Sequence, residues 1–75
     1  MKVIVCRDSE GGMGIFKFTS IPKITKYGYW VSNKQSDNLG FLTEKTFKSL
    51  YGSLLGIRKA GHARVEITTE LFKGN

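Results

Sequence analysis

The stretch Met1–Arg7, MKVIVCR, decides the fold of this chain. Its apolar residues do not alternate with polar ones: Val3 and Val5 fall on one side of an extended backbone, and Ile4 and Cys6 on the other. Strands that are apolar on both sides belong in the middle of a sheet, where both faces are covered. The pattern therefore predicts a central strand, around which the other segments build a sheet.

Three further segments are predicted to be strands of this sheet. Ile15–Ser20 alternates apolar and polar residues, and the glycine-rich loop 9–14 before it predicts a hairpin with the first strand. The stretch KITKYGYWVSN, residues 23–33, alternates as a third strand, and residues 33–40 are the turn-forming polar types of a loop. Ala63–Phe72 alternates again and predicts the last strand.

One amphipathic helix is predicted between the third and fourth strands. Thr43 is a suitable N-cap, Leu42 can pack on Phe47 as a hydrophobic staple, and Glu44 is an acidic residue in the first turn. The helix is predicted to end at Gly56 or at Gly61, since either glycine can close a last turn. Its apolar side is Phe47, Leu50, Tyr51, Leu54 and Ile57.

These elements predict a single α+β domain, residues 1–75, with the order β-β-β-α-β and a mainly antiparallel sheet carrying the helix on one face. We expect the tyrosines of the third strand in the core and Trp30 on the uncovered face. The helix-covered face is expected to hold Val3, Val5, Phe16, Phe18, Tyr27, Tyr29, Val65 and Ile67. The uncovered face is expected to hold Lys2, Ile4, Cys6, Lys17, Lys26, Trp30, Arg64 and Glu66.

Composition bounds the function of the chain. Its formal charge is +6 with a pI near 9.7, and the basic residues are scattered, which favours acidic partners such as nucleic acid. The single cysteine cannot form an internal disulfide and indicates a reducing, cytoplasmic setting. No apolar run is long enough for a signal peptide or a membrane span, so neither secretion nor a membrane partner is expected.

No catalytic constellation is predicted, and no enzyme activity, metal or cofactor is expected. The loop Gly11–Gly14 opens a strand rather than a helix, so it lacks the context of a phosphate-binding loop. Cys6 and His62 are the one conventional nucleophile and base, and antiparallel pairing of their strands can bring them close. A free cysteine in a small core is usually only a small apolar residue.

The favoured function is nucleic-acid binding through the uncovered sheet face. Trp30 is expected to stack on bases while Lys17, Lys26 and Arg64 contact phosphates. A second basic stripe is expected along the polar side of the helix, where lysines flank glycines that would permit a close approach. This stripe comprises Lys45, Lys48, Gly52, Gly56 and Lys59.

The alternative function belongs to a different class. A compact inhibitor or adaptor of the phage or mobile-element type would bind an acidic surface of a host protein. Trp30 and Tyr51 would then anchor the interface, because tryptophan, tyrosine and arginine dominate binding hot spots. Nuclease treatment distinguishes the two functions, since it removes a nucleic-acid partner and leaves a protein partner.

Overall fold

Six strands and one α-helix form the part of the chain that the computed structural model describes, residues 1–19 and 21–67. The main sheet has four strands in the spatial order β5-β2-β1-β6, and all its neighbours are antiparallel. The predicted central place of the first strand is confirmed. Along the chain the elements are β1 (Lys2–Arg7), β2 (Gly12–Lys17), β3 (Lys23–Ile24), β4 (Trp30–Val31), a 3-10 turn (Gln35–Asp37), β5 (Asn38–Thr43), α1 (Glu44–Tyr51) and β6 (His62–Glu66).

The α+β class and the β-β-β-α-β order of the main sheet are confirmed, but the third sheet strand is a different segment from the one predicted. Strands β3 and β4 form a separate two-stranded hairpin, and β5 takes the third place in the sheet. Strand β5 begins inside the predicted loop 33–40. A register shift opposite Ile15 and Phe16 turns both Leu39 and Leu42 towards the helix side, so β5 lacks a regular alternation.

The register of the first hairpin reverses the two faces predicted for β2. Its turn is short, since the Asp8 N–H donates to the Gly12 carbonyl at 2.8 Å and β2 already begins at Gly12. Phe16 therefore lies opposite Ile4, and Lys17 opposite Val3. Directly opposed residues share a face, and a shift by one residue moves a whole strand's side chains to the other face. Ser20, the predicted end of this strand, lies outside the described residues.

Helix α1 covers one face of the sheet, as predicted, but it is shorter than predicted. Its start is confirmed, because the Thr43 hydroxyl oxygen accepts the Thr46 N–H at 3.1 Å. Its end is at neither Gly56 nor Gly61: Gly52 takes a left-handed φ of 84° and donates to the Lys48 carbonyl at 2.8 Å. The core on this side contains Val3, Val5, Met13, Ile15, Phe47, Ile57 and Ile67, all buried.

The last strand ends the described part of the chain. The predicted places of Val65 and Ile67 on the helix side are confirmed, and Ala63 packs against the same core. The remainder of the predicted strand, residues 68–72, lies outside the described residues. Within residues 1–19 and 21–67 no helix combines the length and apolarity that crossing a membrane requires.

A second, smaller core lies on the opposite face of the sheet. Ile4, Cys6 and Phe16 are buried there, and Trp30 packs against them. This face was predicted to be uncovered, with Phe16 on the helix side, and both predictions are wrong. The chain between β2 and β5 folds back over this face, so that Trp30 of the β3–β4 hairpin packs against these residues.

Candidate nucleic-acid interface

Trp30 attaches the β3–β4 hairpin to the sheet. Its indole is half-buried against the second core and forms an edge-to-face pair with His62, with ring centroids 5.2 Å apart. The indole Nε1–H donates to the Arg7 carbonyl at 3.0 Å, which satisfies the one polar atom of the ring. The prediction of an outward-facing Trp30 is therefore wrong, because its stacking surface and its donor are used inside the protein.

The loop after β1 holds the rest of the hairpin. The backbone N–H of Trp30 donates to Asp8 Oδ1 at 3.2 Å, and the Ser9 N–H donates to the Gly28 carbonyl at 3.0 Å. Burial raises the pKa of the Asp8 carboxyl, and the hydrogen bond from Trp30 opposes that rise. Gly28 has a φ of 88° and lies so close to the Ser9 side chain that no β-carbon fits between them. The hairpin is thus held at its strand and at its turn.

The two tyrosines of the hairpin face outward. Tyr27 is 69% exposed and Tyr29 is 52% exposed, so their predicted place in the core is wrong. Sequence alternation correctly separated them from Trp30, but the side of the hairpin that meets the sheet is the tryptophan side. Thr25 fixes the turn between the rings, since its hydroxyl oxygen accepts both tyrosine N–H groups at 3.3 Å.

Lysines lie on the same hairpin as these exposed rings. Lys26 Nζ lies 5.2 Å from the centroid of the Tyr27 ring, and Lys23 is exposed opposite Val31 in the hairpin register. The sequence contains no Asp or Glu between residues 11 and 36, a run that also includes Lys34. That acid-free run is the sequence signal that could have identified the surface. We call residues 23–31 with their outward side chains the tyrosine hairpin.

A second group of cations and an aromatic ring lies beside the amino terminus. Phe18, predicted on the helix-covered face, is 38% exposed, and its ring centroid is 5.1 Å from Arg64 Cζ and 5.9 Å from Lys2 Nζ. These three side chains, with Val65 and Glu66, line an open groove of about 220 Å³, here called the Phe18 groove. The Glu66 carboxylate pairs with the terminal ammonium of Met1, and that hydrogen bond lowers its pKa.

The cations predicted to share one surface are divided between the two sides of the sheet. Arg64 lies opposite Ile4 and hence on the side of Trp30 and the tyrosine hairpin, which carries Lys26. Lys17 lies opposite Val3, on the helix side.

The predicted basic stripe of the helix is broken. Lys45 and Lys48 are exposed on α1, but the helix ends before Lys59 is reached. Lys59 lies in the following loop near Glu44, whose pKa is lowered first by a hydrogen bond from Arg7 and further by the charge of Lys59. Since Gly52 and Gly56 take left-handed φ values of 84° and 72°, they belong to the turns after the helix and do not shape a helical surface.

Cys6 and His62 are direct partners across β1 and β6, as the antiparallel pairing predicted. The thiol is fully buried, and burial together with the charge of Asp8 raises the pKa of Cys6 to about 12. It stays protonated at neutral pH, whereas thiolate is the nucleophilic form. In the described ranges no three His, Cys, Asp or Glu side chains are grouped to hold a metal ion.

Comparisons with known proteins assign no family to this chain. None of the family models, curated proteins and solved structures matches it. The tyrosine hairpin and the Phe18 groove each combine an exposed aromatic ring with neighbouring cations.

Proposed function

We propose that the protein is a non-catalytic module that binds single-stranded nucleic acid through its tyrosine hairpin. The observation that carries the proposal is the pair of outward rings of Tyr27 and Tyr29 on a hairpin that also carries Lys23 and Lys26. This hairpin lies within residues 11–36, a run of sequence that contains no Asp or Glu. Aromatic rings stack on unpaired bases for about 1–3 kcal/mol each, and neighbouring cations attract the phosphates.

The charges of the hairpin support this use. Across residues 1–19 and 21–67, Arg7 is the one lysine or arginine side chain that pairs with a carboxylate. Lys23 and Lys26 therefore keep their charge available for an anion. A polyanion that they bind releases condensed counterions, which makes the affinity strongly dependent on salt.

The rigidity of the hairpin supports it as well. Trp30 fixes the strand, and the contact of Gly28 with Ser9 fixes the turn, so the backbone that carries the rings does not have to be ordered when a ligand binds. Ordering a flexible side chain or loop on binding reduces affinity. A hairpin held from beneath by an aromatic side chain is thus a suitable platform for unpaired bases.

The test is the affinity of the protein for a fluorescent single-stranded oligonucleotide of about 12 nucleotides, measured by anisotropy at low salt. Replacing either ring, by Tyr27→Ala or Tyr29→Ala, is expected to weaken binding by about 5- to 150-fold, the equivalent of one lost stacking contact. Both side chains are exposed, so neither change removes core packing.

Tyr27→Phe is the matched control for this test. It keeps the ring and removes the hydroxyl, so its affinity is expected to equal that of the unchanged protein. Equal losses for the phenylalanine and alanine variants would contradict stacking, and a lack of measurable oligonucleotide binding at low salt would refute the proposed function.

A second candidate function, docking on an acidic protein surface, is favoured by the aliphatic side chains on the same element. Val31 is exposed two residues after Tyr29, and Ile24 is exposed opposite Trp30 in the hairpin register. Aliphatic side chains do not stack on bases, but they fill pockets in protein interfaces. Recovery of one stoichiometric protein from nuclease-treated lysate, with no oligonucleotide binding, would favour this candidate. For either partner we propose a cytoplasmic location, in keeping with the single unpaired cysteine.

A further inference from the structure

We infer that the Phe18 groove is a second contact site for the same single strand, and that the protein grips nucleic acid at two points on one side of its sheet. The inference rests on the proposed function and extends it to a second set of residues. Lys2, Phe18 and Arg64 form that set.

The register places both surfaces on the same side of the sheet. The tyrosine hairpin sits over Ile4 and Phe16 through Trp30. Arg64 is the direct partner of Ile4 on β6, and directly opposed residues share a face. Phe18 follows the end of β2, and its ring lies against Arg64 and against Lys2, which is two residues before Ile4 in β1 and so on the same face. A strand that contacts both surfaces does not have to cross an edge of the sheet.

The chemistry of the groove suits a phosphate and an adjacent base. The Phe18 ring supports the Arg64 guanidinium, a planar cation that forks onto phosphate oxygens and stacks on bases. Lys2 adds a second charge on the same ring. The carboxylate in the groove, Glu66, is paired with the terminal ammonium, so its repulsion of an anion is partly neutralised.

The length of β1 sets the spacing of the two contacts. The turn of the hairpin lies against Ser9, at one end of β1, and the groove lies at Lys2, at the other end. At about 3.3 Å per residue these ends are about 20 Å apart. Stacked nucleotides rise about 3.4 Å each, so about six nucleotides span the distance.

The experiment compares two single-stranded oligothymidylates. One of about three nucleotides is too short to reach both sites, and one of about eight nucleotides is long enough. A longer oligothymidylate offers more equivalent binding positions, which by itself raises the apparent affinity. We expect the affinity of the unchanged protein for the longer one to exceed this statistical increase. Arg64→Gln is expected to remove that extra affinity and to reduce the slope of log affinity against log salt by about 0.7, the value for one phosphate contact on a single strand. For the shorter one the same variant should bind as the unchanged protein does.

Lys48→Gln is the matched control, since it removes one positive charge from α1, on the other side of the sheet. It should lower affinity less than Arg64→Gln and leave the length dependence intact. If both variants change the affinity and its length dependence equally, or if length has no effect, the second site is refuted. The proposed binding by the tyrosine hairpin is not affected by that result. If neither oligothymidylate binds at low salt, the inference fails together with the proposed function.

Discussion

At the scale of single residues, Cys6 reports on the packing of the second core. Its thiol is buried between the sheet and the hairpin that carries Trp30, and its pKa is raised from 9.0 to about 12. The largest cause is burial, which disfavours the charged thiolate, and the nearby carboxylate of Asp8 adds to it. The thiol is therefore both unreactive and a titratable probe of folding.

Alkaline pH is expected to destabilise the protein through this thiol. The folded pKa is raised, so the stabilisation is fully present below about pH 9 and is lost as pH rises towards 12. Over that window the loss contributed by one thiol approaches about 1.4 kcal/mol of unfolding free energy per pH unit. Urea unfolding at several pH values should show a smaller alkaline loss for Cys6→Ala than for the unchanged protein.

The same residue has a chemical test. At mildly alkaline pH, iodoacetamide should alkylate Cys6 slowly in buffer and rapidly in urea, because only unfolding exposes and ionises the thiol. Reaction in buffer at the rate of a free thiol would show that the second core does not cover it. Slow alkylation also serves to confirm folding of the binding-site variants.

At the scale of elements, the seating of the tyrosine hairpin depends on one glycine. Gly28 combines a left-handed φ of 88° with close contact to Ser9, so a side chain there meets both backbone strain and a steric clash. Gly52, the C-cap of α1, has a similar φ of 84° and no neighbouring atom within 4 Å of an added β-carbon. The two glycines therefore separate the cost of strain from the cost of the contact.

Gly28→Ala is expected to destabilise the protein more than Gly52→Ala. Left-handed backbone costs a non-glycine residue about 1–2 kcal/mol, which both variants share, and the overlap with Ser9 adds to Gly28→Ala alone. The free energies of unfolding in urea measure the difference. Adding Ser9→Gly to Gly28→Ala should recover part of the loss, and equal costs at the two glycines would contradict the close contact.

At the scale of the whole molecule, one sheet carries a core on each face. The radius of gyration of the molecule, 11.2 Å, matches the value of about 11 Å expected for a compact chain of this length. The central strand contributes Val3 and Val5 to one core and Ile4 and Cys6 to the other. Both cores are built on β1 and β2. If the packing of one core is lost, these strands are disturbed and apolar side chains of the other core become exposed.

This sharing predicts a single cooperative unfolding transition. Trp30 fluorescence reports on the hairpin and the second core, whereas far-ultraviolet circular dichroism reports on the helix and the main sheet. The two signals should change at the same urea concentration, because small single domains usually unfold in one step. A tryptophan transition at lower urea would show that the hairpin opens separately, and a rigid platform for bases would then be excluded.

Local residue patterns were sufficient for several features of this fold. The apolar run of β1 predicted its central place, Thr43 predicted the start of the helix, and alternation separated Trp30 from the tyrosines. These features depend on neighbours in sequence, such as a hydroxyl that caps an amide three residues later. For the same reason, the net charge favours an acidic partner, which stays a prediction, and does not indicate which surface would bind it.

The sequence by itself determined the α+β class, the central strand and the sides on which neighbouring residues fall relative to each other. Tertiary structure alone decided which side faces the interior. In the first hairpin the short turn at Asp8–Gly11 shifted the register and reversed Phe16 and Lys17. In the second, packing of Trp30 on the far face of the sheet turned the tyrosines outward. Alternation fixes only relative positions, and the direction of burial is set by contacts between residues far apart in the chain.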